Sequence, residues 1–454
     1  MNSARPCYSP DLTHLLARPF DAAETFIDGG VTFGEVYGMA TWLQTRLGKT
    51  EKRETICLAT ENRALIAAAI LASLAGGPIV LLPYSFSAQA LAGLNQATGC
   101  SLALVDSNQA PPPEMEVISP PGGAKADYTL LADLRPEQEL LRLYTGGSTG
   151  TPQLWSKTGT NLLGEALFLA DHFTVTPQDR IVATISPAHI YGLLYSVLLP
   201  LVSGAAVVPS MPSFPEEIVR TVREHEATIF VSVPPHYRVL RGKGALSPSL
   251  RLAFSSAGML DLSDNTEFCR CNPSGIVEVY GSTETGGIAL RNRSRGETGF
   301  TPYATINWQI DNAQLLIRSP YLSPSLKLSQ EGFFRTGDRV EADGTQGFQL
   351  KGRSDSVTKV GGKRVDLEEI KTAIKDMPDV SDCLVLALPD TSGRGHRIVA
   401  LVETLGLEVD RIREALTSRF EPYALPRAVK IIERLPVKDN GKIDREAVLR
   451  LFAA

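Results

Sequence analysis

The chain has 454 residues, 43% hydrophobic and 21% charged, with a formal net charge of −5. This is globular composition with room for two or three folding units, and its charge speaks against a general nucleic-acid binder. Six cysteines (Cys7, Cys57, Cys100, Cys269, Cys271 and Cys383) are scattered, no second pair or histidine cluster completes a zinc site, and this usage suits a reducing cytoplasmic setting.

The first twenty residues carry prolines and mixed charge without an apolar core, which does not read as a signal peptide. The uncharged run over 64–105 is broken by Gly76, Gly77 and Pro78. A helix over 64–75 and a buried strand over 79–82 account for its apolar part better than a membrane span, so no membrane insertion is expected. Around that run, 55–60 reads as a strand, 61–74 as a helix, 87–98 as a helix and 101–105 as a strand. This is the alternation of a helix-covered, mostly parallel sheet. The proline-rich stretch 108–124 is expected to be an exposed loop.

Next comes Leu141-Arg-Leu-Tyr-Thr-Gly-Gly-Ser-Thr-Gly-Thr-Pro152. It reads as a strand and a hydroxyl- and glycine-rich loop, with a helix following over 161–173. Glycines let a backbone approach a ligand closely. Successive N–H groups, with the Ser148, Thr149 and Thr151 hydroxyls, then suit phosphate oxygens. No Gly-Lys-Ser/Thr closes it, so it is not a Walker loop. A flexible linker is the alternative.

The alternation continues with strands over 180–184, 205–208, 228–233, 250–255 and 276–279, and with helices up to Leu201 and over 216–225. Four of these strands run into small or polar loops: Ser186 to Gly192, Pro234-Pro235, Ser256-Ala257-Gly258, and Tyr280-Gly-Ser-Thr-Glu-Thr285. In open parallel sheets a ligand sits beyond the strand C-termini, so the loops should converge with the glycine-rich stretch. Beyond about Arg291 the segments become short and β-like, with Asp343-Gly344 as a hairpin turn. After Lys351-Gly-Arg-Ser-Asp355 a mixed α+β unit follows, with helices over 368–375 and 411–419 and strands over 383–387, 398–403 and 429–432.

The ordered set of motifs resembles the adenylate-forming superfamily: acyl-CoA synthetases, aryl-acid ligases and peptide-synthetase adenylation domains. The motifs are Tyr144 to Pro152, Ser186 to Leu193, Tyr280 to Thr285, Phe334-Arg-Thr-Gly-Asp338, Gly352-Arg-Ser-Asp355 with Val360-Gly-Gly-Lys-Arg-Val365, and Asn440-Gly-Lys-Ile-Asp-Arg445. They span roughly residues 30 to 448. The resemblance implies a large N-terminal α/β domain with a β-rich subdomain over 1–352 and a small mobile α+β domain over 353–454. It also implies two half-reactions. A carboxylate attacks the α-phosphate of ATP, with Mg2+, and releases pyrophosphate. A thiol of coenzyme A or of carrier-protein phosphopantetheine then takes the acyl group and releases AMP.

Carried over residue by residue, the resemblance gives Thr145, Gly146, Gly147, Ser148, Thr149, Gly150 and Thr151 to the β- and γ-phosphates. Glu284 matches the magnesium-linked glutamate, and Thr283 the threonine facing the α-phosphate. Tyr280, with Gly281, matches the adenine contact, Asp338 the ribose acceptor and Arg353 a further ribose or phosphate contact. Lys442 matches the lysine that bridges the substrate carboxylate and the α-phosphate, Asp355 the hinge, and Gly361-Gly362 a loop along the thiol tunnel. Simpler structural roles compete: a helix N-terminal carboxylate for Glu284, an Asx turn for Asp338, a core tyrosine for Tyr280, a linker residue for Asp355. The family usually has Lys-Gly after the loop proline, where this chain has Gln153-Leu154; Lys157 would either replace the missing cation or be a solvated surface lysine.

His189 and Tyr191 fall where the family lines the acyl pocket, opposite Ser255, Ser256, Ala257, Gly258 and Met259. Pro234-Pro235 with His236 precedes the helix at the pocket floor. Small wall residues leave room for a flat ring, so the expected substrate is an aromatic carboxylic acid such as a hydroxybenzoate or cinnamate. The chain is short for the family, with deletions near 291–330, and this favours a carrier-protein acceptor slightly over coenzyme A. The competing readings are a medium-chain fatty acyl-CoA ligase and a non-catalytic nucleotide-binding pseudo-enzyme.

Overall fold

The computed structural model describes residues 10–17, 21–48, 53–83, 85–106, 112, 114–127, 134–145, 153–353, 357–360, 363–390, 395–437 and 443–452. Contacts divide the chain into two units, one formed by 1–307 and 318–334, the other by 308–317 and 335–454.

The first unit holds two sheets. One contains β1 (Thr55–Leu58), β2 (Ile79–Leu82), β3 (Leu102–Leu104), β4 (Glu116–Ile118), β5 (Glu139–Thr145) and β6 (Gln153–Thr158), in the order β4-β3-β1-β2-β5-β6. All pairings are parallel except β5 with β6. Its helices are α1 (Thr13–Ala17), α2 (Phe33–Leu47), α3 (Arg63–Leu74), α4 (Ala88–Thr98) and α5 (Gly159–His172). Every residue of α3 is buried, so the apolar run is an internal helix followed by β2, as expected. No helix among the described residues is long and apolar enough to cross a membrane.

Two local features depart from the sequence reading, and a third, helix α2 with its cap, was not assigned from it. The loop after β5 is followed by a strand, β6, which turns back along β5 with Thr145 opposite Gln153 before α5 begins. The stretch 108–124 contributes β4, parallel to β3, where an exposed loop was expected. Helix α2 opens on a capping box in which the Thr32 side chain accepts from Glu35 N and the Glu35 side chain accepts from Thr32 N.

The second sheet contains β7 (Arg180–Ala183), β8 (Ala206–Val207), β9 (Ile229–Ser232), β10 (Leu252–Ser255), β11 (Val277–Ser282), β12 (Gly286–Asn292) and β13 (Thr301–Pro302). The order is β13-β12-β11-β10-β9-β7-β8, with β11, β10, β9, β7 and β8 parallel. Helices α6 (Ile190–Leu193) and α7 (Leu199–Ser203) flank a π-helical turn at Leu194–Leu198; α8 (Pro215–Glu224), α9 (Pro234–Val239) and α10 (Leu262–Cys271) follow. Adjacent parallel strands β7, β9, β10 and β11 therefore end on one edge, where their loops begin.

The second unit carries a four-stranded sheet of β14 (Asn307–Asp311), β15 (Gln314–Arg318), β16 (Phe334–Asp343) and β17 (Gly347–Arg353). The expected turn joins β16 to β17, with Gly344 at φ +61°. Its other sheet holds β18 (Val357–Val360), β19 (Lys363–Asp366), β20 (Val380–Asp390), β21 (Gly395–Thr404) and β22 (Ala428–Ile432), with α11 (Leu367–Lys375), α12 (Val409–Thr417) and α13 (Arg445–Phe452). Ile370, Ile374, Ile398, Ala400, Val402 and Ile412 form its core, each at most 1% exposed.

Candidate active site

The β11–β12 hairpin supplies the polar tip of the site. Its register shifts between Tyr280 and Gly281, and Ser282 pairs with Gly286, leaving Thr283, Glu284 and Thr285 as a three-residue loop. Gly286 has φ +69°, the left-handed position that such a loop needs. Inside the loop Ser282 N donates to Thr285 Oγ1 at 3.0 Å, and the two hydroxyls meet at 2.9 Å. Glu284 thus sits at a hairpin tip, not at a helix N-terminus. It is half-buried, and its carboxylate forms no ion pair among the described residues. Tyr280 is half-buried beside the Phe300 ring, with centroids 5.7 Å apart.

Beneath the tip lies Lys157, which is 1% exposed. Its Nζ donates to Tyr321 O at 2.8 Å and to Glu284 O at 3.3 Å. It is therefore neither the solvated surface lysine nor the replacement phosphate cation considered above, because its amine is buried and already bonded to carbonyl groups. Glu165, 2% exposed, accepts from Gly287 N at 2.8 Å. Burial lowers the affinity of Lys157 for its proton and raises that of Glu165, while the charge of each opposes the shift of the other.

The neighbouring strand ends form a second, less charged wall. Ser256 Oγ donates to Val279 O at 2.8 Å and ties the β10 loop to β11. Ala257 takes φ +66°, a left-handed conformation that costs energy for a residue with a Cβ. Met259 is 74% exposed. Tyr191 OH donates to Ser232 O at 3.2 Å, and His189, half-buried, is the N-cap residue of α6. Gly192 packs so closely on Ser186 O that a side chain would not fit.

A polar cluster missed from sequence completes this edge. Thr184 and Ser232 hydroxyls lie 2.8 Å apart, and His236 Nδ1 is 2.8 Å from Thr184 Oγ1. The next hydroxyl along, Ser255 Oγ, is buried and has no hydrogen-bond partner among the described residues. Pro234 and Pro235 begin α9, with His236 inside it; they do not precede the helix. Burial pulls the His236 imidazole below its usual value. The signal available in sequence was a hydroxyl residue closing each of β9 and β10 or directly following β7.

In the second unit, Asp338 lies inside β16 at a register shift rather than in an Asx turn, opposite Arg353 on β17. Arg353 Nη1 is 3.6 Å from Asp338 Oδ1. Thr145 ends β5. The expectations for Gly146, Gly147, Ser148, Thr149, Gly150, Thr151, Asp355, Gly361, Gly362 and Lys442 lie outside the described residues.

A family model for AMP-binding enzymes matches residues 23–325, and one for the AMP-binding enzyme C-terminal domain matches 369–442. The chain belongs to the AMP-binding enzyme family. Relatives of this AMP-binding enzyme include the anthranilate–CoA ligase of Pseudomonas aeruginosa, 27% identical over 73% of this chain and 70% of the relative. The 4-coumarate–CoA ligase of Rhodobacter capsulatus is 28% identical over 69% of this chain and 77% of its own. Among solved structures, ATP-bound MatB from Rhodopseudomonas palustris superposes with a TM-score of 0.82 at 18% identity, covering 97% of this chain and 98% of its own. The o-succinylbenzoate CoA synthetase of Bacillus subtilis with AMP gives 0.78 at 20% identity over 96% and 97%. These likenesses show the shared two-domain α/β fold.

Proposed function

We propose that this AMP-binding enzyme activates an aromatic carboxylic acid with ATP and passes the acyl group to a phosphopantetheine thiol. The carrying observation is the adjacency of two unlike loops on parallel strands. The β11–β12 tip presents Thr283 and Glu284, while the β10 loop beside it presents the small residues Ser256, Ala257 and Gly258. The polar tip thus adjoins a strand end whose loop residues are small, and Ser232, at the end of the next strand, meets Tyr191 and the Thr184–His236 pair; this supports a site that takes an anion beside a flat ring. The names of the anthranilate and 4-coumarate ligases favour an aryl acid, and those of all these ligases favour coenzyme A as the acceptor.

In the first step an acid oxygen forms a bond to the α-phosphorus while the bond to the β-phosphate oxygen breaks; pyrophosphate leaves with the electron pair. In the second the thiol gives up its proton, its sulfur forms a bond to the acyl carbonyl carbon, and the bond from that carbon to the phosphate oxygen breaks, so that AMP leaves with the electron pair. A carboxylate is a poor electrophile, and the adenylate supplies a stable leaving group.

Glu284 would hold Mg2+, and the donor chemistry fits: magnesium takes one or two carboxylates together with phosphate oxygens and waters, and this carboxylate is free of described ion pairs. When bound, the ion offsets phosphate charge. Thr283 would donate to the α-phosphate, and Tyr280 would lie against adenine. Asp338 offers two acceptor oxygens for the two ribose hydroxyls, with Arg353 beside it. Residues 145–151 would hold the outer phosphates. Lys442 would bring the two anions together, its charge counting most in the transition state. Asp355 would be the hinge between half-reactions.

The test is acid-dependent exchange of labelled pyrophosphate into ATP over benzoates, cinnamates and fatty acids. Exchange with an aryl acid, reduced on the order of 10²-fold or more by Lys442→Ala, is expected. Preference for medium-chain fatty acids would replace the aryl reading; no exchange with any acid would leave a non-catalytic nucleotide binder. Thioester formation with coenzyme A, compared with a phosphopantetheinylated carrier protein, then identifies the acceptor.

A further inference from the structure

Two buried charges take no direct part in this chemistry, yet each holds a backbone atom flanking Glu284. Lys157 Nζ is bonded to the carbonyl oxygen of Glu284 itself, which also accepts from Ser323 N at 2.7 Å. Glu165 is bonded to the amide of Gly287, three residues on. We propose that Lys157 and Glu165 are positioning residues that fix the direction of the Glu284 carboxylate toward the metal ion of the nucleotide.

The geometry is that of a clamp with two jaws. Lys157 comes from β6 and Glu165 from α5, so the two consecutive elements after the glycine-rich loop hold the two ends of the 284–287 turn. The fit leaves no slack. A Cβ on Gly286 would meet Glu165 Oε2 at 2.7 Å, and one on Gly287 would meet Glu165 Oε1 at 2.5 Å and the Tyr303 hydroxyl as well. The segment 320–323, which follows β15, closes the assembly: Asn161 Nδ2 donates to Pro320 O at 2.7 Å and Ser323 Oγ to Ser156 O at 2.7 Å. A purely apolar filler would bury the same volume, but it would leave the Glu284 carbonyl and the Gly287 amide each without one of these partners. Partners behind a metal ligand orient it, and their loss typically costs ten- to hundredfold in metal affinity. The position to which the resemblance gives a loop lysine is Gln153 here, and Lys157 is buried against the Glu284 backbone carbonyl.

The inference rests on Glu284 acting as the ligand of the metal–nucleotide complex. Its test is calorimetric ATP binding to the full chain, with Mg2+ and with EDTA, alongside amide hydrogen exchange over 282–287. The variants are Lys157→Met, Lys157→Arg, Glu165→Gln and the double Lys157→Met/Glu165→Gln. Lys157→Met is expected to speed amide exchange at Thr285 and Gly287 and to weaken ATP binding about tenfold with Mg2+ while leaving the EDTA affinity unchanged. Lys157→Arg should restore part of the loss. If Lys157→Met fails to fold, the double variant, which buries no unpaired charge, carries the same expectation. Equal weakening with and without Mg2+, or unchanged amide exchange, overturns the inference. Wild-type protein that binds Mg2+–ATP but exchanges pyrophosphate with no acid would defeat only the acid-activation reading. A wild type whose ATP binding ignores Mg2+ would overturn the role of Glu284 and the clamp together.

Discussion

His236 illustrates what one side chain contributes at the pocket edge. Its Nδ1 meets Thr184 Oγ1 at 2.8 Å and Ser232 Oγ at 3.4 Å, and burial favours the neutral ring. A base whose folded value is lowered adds stability above its unfolded value, about 6.5, and loses it as the pH falls through the lower folded value. The melting temperature of the wild type should therefore drop more between pH 7.5 and pH 5.5 than that of His236→Gln. Equal drops would remove His236 from the acid response. Gly192 makes the complementary point: its place in the motif follows from the closeness of Ser186 O, which no sequence pattern displays.

At the scale of elements, local rules explain what they reach. The Thr32–Glu35 capping box was present in the letters and sets the start of α2. Thr32→Ala should cost about 1 kcal/mol in urea unfolding, with little effect on pyrophosphate exchange, since α2 lies at the far end of the chain from the site loops in sequence and caps its own backbone. A cost near zero would mean that burial alone holds the helix. Strand β6 was not legible because residues 153–158 alternate weakly and follow a turn-rich loop directly; pairing with β5 decides it. Strand β4 was hidden by neighbouring prolines and exists because β3 offers a parallel edge. The 280–285 stretch read as a polar loop after a strand, with a helix start as one alternative for Glu284; antiparallel pairing with β12 makes it a hairpin.

At the scale of the molecule, contacts group the four-stranded sheet with the C-terminal residues, so β14 to β17 belong with 335–454 rather than with the larger sheets. Asp338 and Arg353 lie on that sheet, and Asp355 follows β17 closely in sequence. If Asp355 is the hinge, Asp355→Pro should change one half-reaction and spare the other, since proline fixes φ near −65°. Separate assays of pyrophosphate exchange and of thioester formation check this; equal loss in both would count against a hinge there.

The family and the alternation of strands and helices were legible in the residue order, as were the strand-end loops proposed to carry the site. Each rests on short-range chemistry: turn formers, hydroxyls, glycines and periodic apolar positions within a few residues of one another. The fate of Lys157 was decided only by tertiary structure. Its partners Glu284 and Tyr321 lie 127 and 164 residues away, and the same lysine letter serves equally for a solvated surface or a phosphate site. Burial turned it toward carbonyl oxygens, because an amine taken out of water must keep acceptors for its protons, and folding alone determines which acceptors are near.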